Sequence, residues 1–175
     1  MSAAESKNSG KSIGHTAATV LAGLKSRQLN LAVAESLTGG LLTAEFVAVS
    51  GASEVLLGGI IAYQQELKHE LLGVSKALLA EVGSVDAQVA TQMAQGVRAK
   101  LAANMGLHEA LVVGVSTTGV AGPDLQDGKP VGSVFLGISS QAGDYVYELN
   151  LVGDRNGIRA QAVQEAVSAL GEHFI

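Results

Sequence analysis

Leu31-Ala32-Val33-Ala34-Glu35-Ser36-Leu37-Thr38-Gly39-Gly40 is the stretch on which the reading of the fold turns. Its first four residues are a continuous apolar run of strand length with no polar alternation, the pattern of a strand covered on both faces. The glycine pair then opens a helix that runs to about Val49. A covered strand turning straight into a helix starts an α/β layered fold. Working outward, Val55–Tyr63 is β-rich, Leu67–Leu72 and Ser75–Val82 are short helical segments, and Ala110–Ser116 is a second covered strand. Between them, Val89, Met93, Val97 and Leu101 recur at a spacing of four, which predicts a long amphipathic helix over Val85–Met105, capped by Ser84 or Asp86. Gly132–Ser139 and Asp144–Leu151 predict a hairpin, and Asp154 starts a last helix to about Leu170. Upstream, Ala18, Leu21 and Leu24 mark a helix ending near Ser26. The sum is a three-layer α/β/α sandwich with a mixed, mostly parallel sheet. Residues 1–14 read as a flexible N-terminal tail and residues 15–175 as a single domain.

Composition narrows the function classes. With 175 residues and 47% apolar content, the chain is sized for one domain with a substantial core, and a mean hydropathy of +0.32 is far from that of a disordered chain. The absence of cysteine removes disulfides, thiolate nucleophiles and cysteine metal sites. A net charge of −5 argues against a nucleic-acid binder, and three Phe, three Tyr and no Trp leave no base-stacking platform. No segment reads as a membrane span or a targeting leader, so a cytoplasmic protein is expected. The histidines have no metal-ligand spacing, and no metal or cofactor is expected. Gly10-Lys11-Ser12 resembles the end of a phosphate-binding P-loop, but Glu5 stands where that motif needs glycine and no strand precedes it.

Four segments carry the polar chemistry. Glu35-Ser36-Leu37-Thr38-Gly39-Gly40 puts two hydroxyls, an acid and two glycines at a strand-to-helix turn, where free N–H groups attract anions or hold an oxyanion. Ser36 is placed there like a nucleophile; an ordinary helix cap is the plainer reading. Thr118, Gly119, Ala121 and Gly122 follow the second covered strand in a loop reaching Val131, and lie beside the first turn if the two strands are parallel neighbours. Tyr63 and Lys68 lie five apart at a strand end and a helix start. A lysine whose pKa is lowered by desolvation can serve a serine as base; an exposed lysine and a snorkelling tyrosine are the alternative. Arg155 and Arg159 share one face at the start of the last helix, against its dipole, which calls for a phosphate or an acidic partner.

Together these segments resemble the C-terminal domain of the competence/damage-inducible CinA family of nicotinamide mononucleotide amidohydrolases. The matching pieces are AESLTGG (Ala34–Gly40), GGIIAYQQELKHELLGV (Gly58–Val74), GSVDAQVATQMAQGVR (Gly83–Arg98), TGVAGP (Thr118–Pro123), KPVGSV (Lys129–Val134) and GDRNGIR (Gly153–Arg159). The resemblance implies hydrolysis of nicotinamide mononucleotide to nicotinate mononucleotide and ammonia in pyridine nucleotide salvage, without metal or redox cofactor. It implies a homo-oligomer and a small-molecule nucleotide as partner, with no membrane. It makes Ser36 the nucleophile, Lys68 its base and Tyr63 a catalytic partner. It places Thr38, Gly39, Gly40, Thr118, Gly119, Ala121, Gly122, Arg155 and Arg159 around the substrate, with backbone N–H groups of the Thr38–Gly40 turn holding the oxyanion. The chain departs from the family in carrying Leu37 where cysteine is common, and in a shorter Asp124–Lys129 stretch without a Gly-Gly pair. The altered Asp124–Lys129 loop motivates one alternative, a catalytically silent nucleotide-binding module; the family's link to competence and DNA damage motivates another, a protein-interaction module.

Overall fold

A computed structural model describes residues 15–175. The tail and the Gly10-Lys11-Ser12 reading lie outside the described residues. The chain runs α1 (Ala17–Ser26), β1 (Asn30–Glu35), α2 (Leu41–Val47), β2 (Leu56–Ile61), α3 (Gln65–Leu72), α4 (Lys76–Val82), α5 (Ala87–Asn104), β3 (Val112–Gly119), β4 (Ser133–Ser140), β5 (Gly143–Asn150) and α6 (Arg155–Phe174). The strands form one sheet in the order β2-β1-β3-β4-β5. β1 pairs in parallel with β2 and β3, and β3-β4 and β4-β5 are antiparallel. The sheet is mixed, as expected, but its parallel share is half rather than most.

Strand alternation sorts the core into two layers. Leu31, Val33, Val113 and Val115 face one side, where α1, α2 and α6 bury Leu24, Leu42, Phe46 and Leu170 against them. Ala32, Ala34 and Val112 face the other side, against Val89, Met93 and Val97 of α5 and Leu72 of α3. The small residues of this second face have a purpose. A Cβ on Gly114 would stand 2.1 Å from Ala94 O, and one on Gly137 2.5 Å from Ala90 O, so the α5 backbone lies directly on the sheet. Ser116 completes the contact by donating its hydroxyl to Ala90 O at 2.6 Å. Among the described residues no helix is long and apolar enough to cross a membrane.

Local signals explain the helix starts. Thr16 and Thr19 cap α1 reciprocally. Asp86, rather than Ser84, caps α5 by accepting from Gln88 N–H at 2.7 Å, and Asp154 caps α6 by accepting from Gly157 N–H at 2.7 Å. Two boundaries move. β3 continues three residues past Ser116 because it stays paired with β4 as far as Gly119 opposite Val134. α6 continues past Leu170 because Phe174 is still buried against the α1 side of the core.

The topology places the ligand end of the sheet. From β1 the chain crosses to β2 on one side, then returns through α3, α4 and α5 to β3 on the other. Chain direction of the connections therefore reverses between β1 and β3, and the crevice beyond their carboxyl ends is where open α/β sheets bind ligands. Glu35 and Thr117 are register partners at that crevice.

Candidate active site

Ser36 follows the last residue of β1 and is 7% exposed. Three features hold its turn. Glu35, fully buried, accepts from the N–H groups of Gly40 (2.9 Å), Leu42 (3.1 Å) and Thr43 (2.8 Å) and from the Thr43 hydroxyl (2.6 Å). Its carboxylate thus caps α2, whose own N-cap Gly40 offers no side chain and sits at φ 101°. Thr38 Oγ1 and Thr117 Oγ1 share a hydrogen bond of 2.7 Å across the β1–β3 seam. Arg159 donates to Leu37 O at 2.9 Å and Thr38 O at 3.0 Å. Removing the Glu35 cap exposes the consequence: Glu35→Ala is expected to destabilise the fold by about 3 kcal/mol, since it strands several buried N–H donors. Urea unfolding at neutral pH reads this directly, and an unchanged midpoint would contradict it.

Lys68 is the site's electrostatic centre. It is fully buried on α3, and its ammonium nitrogen lies 2.9 Å from Ser36 Oγ, 2.7 Å from Ala62 O and 3.3 Å from Tyr63 O. Burial lowers its pKa from 10.5 to about 8, with the Asp127 carboxylate opposing the shift. Three acceptors thus face the three hydrogens of the ammonium. Once the ammonium loses a proton, the two carbonyls, which can only accept, take the remaining hydrogens and leave the lone pair for the Ser36 hydroxyl.

The other expected residues separate into two groups. Ser36, Tyr63, Gly119, Ala121 and Arg155 line one cavity of about 260 Å³, together with Leu37, Gln64 and Gln126. Arg155 spans its rim, donating to Gly122 O and, at 3.1 Å, to the phenol oxygen of the half-exposed Tyr63. Thr118 does not join them. Its buried hydroxyl points to the α5 side and donates to Ser84 O at 2.7 Å, because residues of β3 alternate faces and Thr118 shares that of Ser116. Thr38 is fully buried and Arg159 grips the turn from behind, so neither lines the cavity.

The expected oxyanion donors also change. Gly39 N–H donates to Ser36 O at 3.1 Å and Gly40 N–H to the Glu35 carboxylate. The Leu37 and Thr38 N–H groups enter no hydrogen bond among the described residues. Both adjoin Ser36, and Leu37 lines the cavity with it, so the Leu37 N–H is the amide best placed for an oxyanion. Among the described residues no three His, Cys, Asp or Glu side chains gather as metal ligands.

The family model for the CinA C-terminal domain matches residues 14–174, nearly the whole chain. This chain belongs to the CinA C-terminal domain family. A CinA-like protein of Frankia casuarinae is 45% identical over 148 residues, covering 85% of this chain and 32% of that protein. The chain thus spans about one third of the length of the curated relatives it matches, 34% and 32% for the first two. Among solved structures, a competence-damaged protein (CinA) superfamily protein from Klebsiella pneumoniae superposes with a TM-score of 0.81 at 28% identity, over 90% of this chain and 94% of the other. The competence/damage inducible protein CihA from Agrobacterium tumefaciens gives a TM-score of 0.80 at 30% identity, over 89% and 92%. The sandwich described above is therefore the CinA domain architecture. Sequence reasoning missed the Glu35 cap of α2, the Thr117 contact to Thr38 and the place of Gln126 in the cavity wall. Glu35 carried a usable signal, an acid at a strand end just before a Gly-Gly helix start. Gln126 carried none.

Proposed function

We propose that this CinA domain is a serine amidase that hydrolyses nicotinamide mononucleotide to nicotinate mononucleotide and ammonia. The single observation that carries the proposal is the buried Lys68 amine 2.9 Å from Ser36 Oγ at the ligand end of the sheet. Structural lysines seldom sit buried without a carboxylate partner, and a lysine with its pKa lowered beside a serine hydroxyl is an activated pair.

In the proposed reaction neutral Lys68 takes the Ser36 hydroxyl proton as Oγ bonds to the carboxamide carbon. The Leu37 N–H group stabilises the resulting oxyanion. The intermediate collapses, the C–N bond breaks, and the proton on Lys68 passes to the departing nitrogen, which leaves as ammonia. Water then attacks the nicotinoyl ester and gives a proton to Lys68. The C–Oγ bond breaks and the proton returns to Ser36. Lys68 suits the proton transfers better than Tyr63, whose phenol is turned to Arg155. Arg155, on the cavity rim, holds the phosphate of the mononucleotide by charge-assisted hydrogen bonds.

The test is ammonia release from the purified protein supplied with nicotinamide mononucleotide, with and without a chelator. Ammonia and nicotinate mononucleotide formed in equal amounts in both arms support the reading. A folded protein that releases none sinks it and leaves a nucleotide-binding module. Arg155→Ala separates binding from chemistry. It is expected to raise KM by about 10-fold or more, the loss of a charge-assisted contact, with a smaller change in kcat. An unchanged KM would remove Arg155 from phosphate binding.

A further inference from the structure

The short stretch between Pro123 and Pro130 closes on itself. Gln126 N–H donates to Lys129 O at 3.2 Å and Lys129 N–H to Gln126 O at 2.8 Å. The two residues at the tip, Asp127 and Gly128, have φ of 50° and 72°, the sign that both central residues of a type I′ turn need. The tip is anchored: Asp127 Oδ2 accepts from Ser84 N–H at 2.9 Å, 43 residues away in sequence. Gly83 makes room for it, since a Cβ there would stand 2.5 Å from the same carboxylate oxygen. From the other side Thr118 of β3 donates to Ser84 O at 2.7 Å. Core packing does not explain this restraint, because every residue from Pro123 to Gly128 is exposed. What the segment contributes is one residue, Gln126, to the wall of the Ser36 cavity. Its N–H and carbonyl are both committed to Lys129, so its side-chain carboxamide is what it has left to offer there. Among the described residues no group hydrogen-bonds that carboxamide.

We propose that Gln126 binds the ribose hydroxyls of the mononucleotide, and that the Asp127–Ser84 anchor is the positioning device that holds it in the cavity wall. The inference deepens the amidase reading and rests on it for the identity of the substrate. Nicotinamide mononucleotide has three polar parts. Its carboxamide belongs at Ser36 and its phosphate at Arg155, and both residues share one cavity with Gln126. The part between them is the ribose, whose hydroxyls each donate and accept. A neutral carboxamide also does both and so matches a hydroxyl, whereas a phosphate calls for a cation. Fixing an exposed glutamine through its turn and its tip lowers the ordering that binding would otherwise cost. Gln64, at the N-cap of α3, lines the same cavity with a second carboxamide and is the control for the assignment.

Gln126→Leu tests this, because it keeps much of the side chain's bulk and removes its hydrogen bonds. Calorimetry gives Kd for nicotinate mononucleotide, the product, and ammonia release gives kcat and KM for nicotinamide mononucleotide. Both Kd and KM are expected to rise by about 5-fold, with a smaller change in kcat. The 2′-deoxy and 3′-deoxy forms of nicotinate mononucleotide locate the contact: the penalty should shrink for the analogue that lacks the contacted hydroxyl. Asp127→Ala should weaken binding of the ribonucleotide and add little on top of Gln126→Leu, as two parts of one device do. Asp127→Asn, whose amide oxygen can still accept from Ser84 N–H, should restore it. An unchanged Kd in folded Gln126→Leu, or a penalty as large for both deoxy analogues as for the ribonucleotide, overturns the ribose contact. A loss seen in Gln64→Leu and not in Gln126→Leu overturns it in favour of Gln64. Full additivity of Asp127→Ala and Gln126→Leu overturns the positioning role of the anchor. A wild type that binds the nucleotide through Gln126 yet releases no ammonia sinks the amidase reading and leaves the ribose contact standing; one that binds no nucleotide overturns both.

Discussion

Ser36→Ala is expected to lower kcat for ammonia release by about 10³-fold or more while KM for nicotinamide mononucleotide changes little. In the proposed reaction the hydroxyl oxygen bonds to the carboxamide carbon, so its loss removes a step and not a contact. The rate left over would come from substrate binding and the Leu37 amide, the residue of catalysis that persists when a nucleophile is deleted. The change is small enough to leave the fold intact, since Ser36 packs at a turn held by Glu35, Thr117 and Arg159. Mass spectrometry of acid-quenched wild type should also find a nicotinoyl ester, absent from the variant. Turnover near that of the wild type would remove Ser36 as nucleophile and leave it, at most, orienting a water.

Lys68→Met is expected to lower turnover to a similar extent and to remove a pH-dependent stability trend. For the wild type, the rate should rise with pH through about 8 as Lys68 loses its proton and becomes a base. The stability follows the same group with a defined sign. Lys68 titrates near 8 when folded and near 10.5 when unfolded, so between those values the unfolded chain holds more protons and stability rises with pH. Below pH 8 both states are protonated and the buried charge weakens the fold by about 3 kcal/mol relative to the neutral form, at about 1.4 kcal/mol per pH unit. The methionine variant lacks this dependence. Urea unfolding across pH 7–10.5 should therefore show the wild type gaining on Lys68→Met as pH rises. Parallel curves would mean that Lys68 titrates as an ordinary surface lysine, and would also remove its activation as a base.

The residues of the site were legible in sequence to unequal degrees. Ser36 could be read because a covered strand, a hydroxyl and a glycine pair follow one another within ten residues, and each is a local signal. Lys68 could be read only as a candidate, because its meaning depends on burial. An exposed lysine and one buried against a serine 32 residues away in sequence look the same in a helix-start pattern. Thr118 was misplaced for a related reason. The strand it belongs to runs three residues further than its apolar core suggests, and that length set its face toward α5 rather than the cavity. The glycines of the Thr38–Gly40 turn read as oxyanion donors until their amides proved committed to Ser36 O and Glu35.

By itself, the sequence determined the periodicities that make strands and helices, the covered nature of β1 and β3, the Asp154 cap of α6, and the family to which the motifs belong. These depend on residues a few positions apart, where backbone geometry is the same in every fold. Tertiary structure alone decided the even split of parallel and antiparallel pairings, the burial that lowers the Lys68 pKa, the commitment of the Gly39 and Gly40 amides to Ser36 O and Glu35, and the Asp127–Ser84 anchor. Each of these needs groups far apart in the chain brought within a few ångströms in a dry interior. No local pattern encodes either the distance or the loss of water that gives them their chemistry.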